Sequence, residues 1–164
     1  MDATQFYENL SDQLSVLPQN RLMGFGINIC ERLLTDYVNF YDSFNWGDPE
    51  VLKMSIQYCK DSLSAPVDAE KVNQLLALVD EVLPDTETFI DPLGSYALNA
   101  GCAVFELLEY LTDPEIDHLL NISSAITDTI DFKLSELDTD LSEEEILNHT
   151  EILKERHYQL QLSK

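Results

Sequence analysis

The chain has 164 residues, 45% of them hydrophobic and 24% charged, which is ordinary globular usage and excludes a fibrous or disordered architecture. Nine Lys plus Arg stand against 31 Asp plus Glu, a formal net charge of −22. Such a field repels nucleic acid and anionic lipid, because binding either requires cations that displace the counterions of phosphate.

A chain of this length buries roughly 70% of its unfolded surface, enough for one domain over residues 1–164. No apolar run reaches the roughly 20 residues that span a bilayer. Met1-Asp2-Ala3-Thr4-Gln5 lacks the basic-then-apolar layout of a signal peptide, so a cytoplasmic location is expected. In that setting the glycosylation patterns Asn121-Ile122-Ser123 and Asn148-His149-Thr150 are chance matches. Cys30, Cys59 and Cys102 form no C-x-x-C pair and read as small core residues.

Phe6, Leu10, Leu14 and Leu17 recur at helical spacing before Pro18. From Gln19 to about Tyr41, Leu22, Phe25, Ile29, Leu33, Tyr37 and Phe40 form one stripe, expected to be the central helix. Asp48-Pro49, Asp91-Pro92 and Asp113-Pro114 each place a capping carboxylate before a proline suited to the first helical position. The stripes behind them are Leu52, Ile56, Cys59 and Leu63; Leu98, Cys102, Phe105 and Leu108; and Ile116, Leu120, Ile126 and Ile130. Another helix opens at Asp68 and carries Val72, Leu75, Leu76, Val79 and Leu83 up to Pro84. Leu137 to Leu141 reads as an acidic loop. Ser142 with Glu145 makes a capping box for a last helix carrying Ile146, Leu153 and Leu160. No alternating β-branched run occurs, so the expectation is an all-α bundle of about seven helices.

Cys30-Glu31-Arg32, then Asp36-Tyr37, Phe40 and Gly47-Asp48, resemble the opening signature of the YjaG-like bacterial proteins (domain of unknown function 416). Pro84, Phe89, Tyr96, Cys102, Glu106 and Glu143-Glu144-Glu145 follow in the order that resemblance implies. It covers nearly the whole chain and implies an all-helical fold, bacterial origin and a longer C-terminus in other members. It carries no activity, so no catalytic role passes to any residue here.

Several groups still suggest chemistry. Arg32 could grip a ligand carboxylate or phosphate with paired hydrogen bonds; the plainer reading pairs it with Glu31, Asp36 or Asp48, tying its helix to the next. Glu115-Ile116-Asp117-His118 has the E-x-x-H spacing of di-metal helical sites. Glu106 and Glu109 could add carboxylates, but the second E-x-x-H such sites need is missing, because His149 and His157 have no Glu three residues before them. No metal or other cofactor is expected. Gly24-Phe25-Gly26 lacks the strand and the third small residue of a phosphate loop. These glycines instead suggest close helix approach, against the Gly94, Ala97 and Gly101 face or against a second copy of the chain.

The feature that stands out is charge: no Lys or Arg occurs between Lys71 and Lys133, an interval carrying twelve acids. The leading expectation is a non-enzymatic interaction module whose acidic surface meets a basic protein partner. The alternative is an enzyme or small-ligand or metal-binding protein with an interhelical pocket near Arg32, Asp48, Tyr96 and Glu106. The candidate ligand- or partner-binding residues are Glu31, Arg32, Tyr37, Asp48, Tyr96 and Glu106.

Overall fold

A computed structural model describes residues 1–164. Helices are its only regular elements: α1 (Ala3–Ser15), α2 (Gln19–Phe44), α3 (Pro49–Asp61), α4 (Ala69–Glu81), α5 (Pro92–Thr112), α6 (Ile116–Leu137), α7 (Glu143–Leu147) and α8 (Thr150–Leu162). The expected helices are all present, and the last is divided into the short α7 and α8.

The local start signals explain most of these boundaries. The Asp48 and Asp91 carboxylates accept from the backbone N–H of Glu50 and Leu93, with Pro49 and Pro92 in the first turn. Asp68 accepts from Glu70 and Lys71. The third Asp-Pro pair behaves differently: Asp113 caps the C-terminus of α5, and Glu115 holds the N-cap position of α6 without a side-chain bond. The Asp113 carboxylate is engaged by His118 instead. The Ser142–Glu145 capping box forms, but the helix stops after Leu147. There Asn148 bonds back to the Glu144 carbonyl at 2.9 Å, and His149 Nδ1 accepts from the Glu151 N–H to begin α8. Short polar side chains that satisfy the backbone locally interrupt a helix in this way. The break shifts the register, so Ile152 is buried and Leu153 is 39% exposed.

One core of 31 buried residues draws on α1 to α6 and α8. Its hub is α5, packed against α2, α3, α4 and α6, rather than α2 alone. No charged residue occurs in α5 from Pro92 to Phe105, so it is apolar on nearly every side, as a central helix must be. The inward face is Ala97, Ala100, Gly101, Val104, Leu107 and Leu108, whereas Cys102 is exposed and Leu98 and Phe105 lie half-buried. When apolar residues surround a helix, stripe-reading does not say which face goes in.

Gly26 is where α2 meets this hub. A Cβ there would stand 2.7 Å from Leu107 and 3.3 Å from Leu119, whereas one at Gly24 meets nothing within 4 Å. Gly94 and Gly101 face Phe89 and Leu83 of the α4–α5 connection, so the two glycine-bearing faces do not pack against each other. A second, small cluster of Leu134, Ile146 and Ile152 seats α7 and the start of α8 on the end of α6.

Candidate functional site

Arg32 projects from α2 towards α8. Its guanidinium donates to both Glu155 oxygens, at 2.7 and 3.0 Å, and to Asn28 Oδ1 at 3.0 Å, and it stacks 4.7 Å over the Tyr158 ring. Glu155 also accepts from Gln159 at 2.9 Å, and Gln159 in turn accepts from the Ser123 hydroxyl of α6. Paired Arg–carboxylate bonds are strong and fix geometry, so this chain of polar groups, half-buried at Arg32 and buried from Glu155 inward, ties α2, α8 and α6. The expected Arg32 pairing to Glu31, Asp36 or Asp48 is not what forms. Glu31 bonds Lys60 of α3 at 2.9 Å, and Asp36 bonds Lys133 of α6 at 2.6 Å. Glu31 and Arg32 border a depression of about 570 Å³ floored by Gly24, Ile27, Asn28 and Thr35, a single face of α2.

Tyr37 and Asp48 meet at the α2–α3 turn. The fully buried Tyr37 hydroxyl donates to the Val82 carbonyl at 2.7 Å and accepts from the Asp48 N–H at 3.2 Å. The turn depends on Gly47, at φ +89°, where a Cβ would collide with the Tyr37 hydroxyl. Asp48 itself borders a second depression, with Val38, Tyr41 and Lys53.

Tyr96 lies elsewhere, under the ammonium of Lys133 at 5.2 Å from the ring centre. It floors a third cavity, of about 190 Å³, with Ile90, Pro92, Phe132 and Glu136 among its walls. Burial, and then the charges of Glu136, Asp36 and Asp91, raise its phenol above the ordinary range.

Glu106 is held by His118, whose Nδ1 lies 2.6 Å from Glu106 Oε2 and whose Nε2 lies 2.9 Å from Asp113 Oδ2. Asn121 donates to the other Glu106 oxygen. Burial alone would push the imidazole down, but the hydrogen bonds and charges of Glu106 and Asp113 outweigh it and the His118 pKa is raised. The two carboxylates flank opposite edges of the ring, a clamp on the α5–α6 turn and not a converging ligand set. Glu115, the partner suggested by E-x-x-H, is the N-cap of α6. No group of three or more His, Cys, Asp or Glu side chains is placed to hold a metal ion. Burial pushes the Cys59 thiol up to about 12 and raises Cys30 and Cys102 as well, so all three are protonated and weakly reactive near neutrality.

Of the six candidate residues, then, Glu31 and Arg32 border one depression and Tyr37 and Asp48 meet at one turn, while Tyr96 and Glu106 each stand in a separate environment. Sequence reasoning missed Glu155 as the partner of Arg32 and Lys133 as the partner of Asp36. The signal for Lys133 was present, since it is the cation that ends the long basic-free interval; Glu155, 123 residues from Arg32, left none. Every buried side-chain polar atom has a hydrogen-bond partner.

None of the twelve acids between Lys71 and Lys133 is buried, and nine are exposed. Of the twelve, Glu106 and Asp113 alone form an ion pair, both with His118. No helix is long and apolar enough to cross a membrane.

The all-helical bundle with its α5 hub defines the class of protein. The chain belongs to the family described as "Protein of unknown function (DUF416)", which matches residues 9–164. Its fold is similar to the crystal structure of a DUF416 family protein from Shewanella baltica OS155, with a TM-score of 0.81 and 22% identity over 93% of this chain and 81% of that one. No curated protein matches the chain.

Proposed function

We propose that this protein is a non-enzymatic interaction module of the cytoplasm that meets a basic protein partner through its acidic surface. The observation that carries this reading is the interval between Lys71 and Lys133: twelve solvent-reaching carboxylates, ten of them without an ion-pair partner, and no Lys or Arg. A surface of one sign steers oppositely charged partners and speeds encounter, and it weakens as salt screens it. Oligolysine is expected to raise the melting temperature in dilute buffer and to lose that effect in about 0.3 M salt. Capture of a partner that is insensitive to salt would contradict the reading.

A second reading, a small-ligand site near Arg32, is favoured by the guanidinium at the edge of the 570 Å³ depression, its side chain 32% exposed. A ligand carboxylate or phosphate would then compete with Glu155 for the same donors. Saturable stabilisation by one metabolite in a thermal-shift panel, abolished in Arg32→Met, would establish it over the first.

A further inference from the structure

We propose that the cavity between the start of α5 and the last turns of α6 receives an apolar side chain from a Lys/Arg-rich segment of the partner. The proposal rests on the acidic-surface reading and gives that surface a specific docking point.

The cavity combines two features found together at no other described depression: large apolar side chains left in water and carboxylates without an ion-pair partner beside them. Ile90 is 87% exposed and Phe132 45% exposed, and with Pro92 they wall a cavity of about 190 Å³ floored by Tyr96. That is room for one aliphatic or aromatic side chain, not for a cofactor. Exposed apolar groups collected around a concavity mark a binding surface where scattered ones do not.

The charges around it select the flanks of the incoming segment. Glu136 lines the cavity, and Asp91 lies close enough for its charge to act on the Tyr96 hydroxyl. Neither has an ion-pair partner. The nearby cation, Lys133, is already bonded to Asp36 at 2.6 Å and lies against the Tyr96 ring. A segment with one large apolar residue between Lys or Arg residues complements both features. A second copy of the chain does not, since it carries −22 and five of its nine cations are already in ion pairs.

The test uses two synthetic decapeptides of mixed Lys and Arg, one with a central Leu and one with Ala in its place, titrated by fluorescence anisotropy and by NMR in dilute buffer. Partial burial of the leucine side chain should give about tenfold tighter binding than the alanine peptide. Resonances of Ile90, Tyr96 and Phe132 should shift. Ile90→Ser and Phe132→Ser should erase the leucine preference while the alanine peptide binds as before, and Glu136→Gln should weaken both peptides. Ile90 is so exposed that its replacement leaves the fold intact. Equal, salt-sensitive binding of both peptides, with shifts elsewhere, would overturn the cavity assignment and leave the acidic-surface reading standing; no binding of either would overturn both. A dimer that forms with rising concentration and is lost in Phe132→Ser would make the occupant a second copy, and would also overturn the proposal.

Discussion

Between Glu106 and Asp113, the imidazole of His118 takes up a proton more readily in the folded chain than in the unfolded one. A group whose pKa is raised by folding stabilises fully below its unfolded value, here about 6.5, and loses that contribution as pH climbs through the raised folded value. The melting-temperature advantage of the native chain over His118→Asn should therefore shrink as the pH rises from about 6 towards about 8; an advantage that stays constant would mean that the ring is neutral and only packs. Arg32 and Glu155 make a different kind of pair. The Glu155 side chain is only 8% exposed, so removing the guanidinium leaves a buried carboxylate with Gln159 as its remaining partner. Arg32→Met should cost about 2–3 kcal/mol, and a double-mutant cycle with Glu155→Gln in chemical denaturation should return a coupling of about 1–2 kcal/mol. That partnership could not be read in advance, because three nearer acids offered themselves in sequence and helix–helix placement alone decided among them.

Among the helices, the two glycines of α2 separate propensity from packing. Gly24→Ala adds a methyl group in open space and should stabilise by about 1 kcal/mol, the helix-propensity gain. Gly26→Ala gains the same propensity but drives a methyl group into Leu107, where overpacking costs about 1–3 kcal/mol, so the net change should be destabilising by about 1 kcal/mol. Urea midpoints of the two variants should move in opposite directions. The same division governs what was legible. Starts at Asp48, Asp68 and Asp91 depend on a carboxylate and the next few N–H groups, and those were readable. Asp113 looked identical in sequence, but its carboxylate is held by a histidine on the following helix. The inward face of α5 and the break at Asn148–His149 were hidden for related reasons. An all-round apolar helix has no polar side to orient it, and Asn148 and His149 interrupt the last helix through bonds that a periodic pattern does not register. Of the candidate residues, the local Tyr37–Asp48 corner follows from proximity along the chain, whereas the separation of Arg32, Tyr96 and Glu106 emerged from the fold.

For the whole molecule, a charge of −22 on a compact body is a standing repulsion that the unfolded chain relieves by expanding. Salt screens exposed charges over about 10 Å at 0.1 M and less at higher concentration. The melting temperature should therefore be higher in about 0.3 M sodium chloride than in very dilute buffer; no change would indicate that the acids are compensated locally. The aromatic corner also decides how such melts can be followed. Trp46 is the only tryptophan, and its ring stands 6.2 Å from Phe40 and 5.3 Å from Phe89, joining the α2–α3 turn to the α4–α5 connection. Its emission is thus a local reporter of that corner, which shares no residue with the polar seat that holds α8. If α8 frays ahead of the rest, circular dichroism will register lost helix before the fluorescence changes colour. If the two signals fall together, the salt-bridged helix is part of the same cooperative unit as the core.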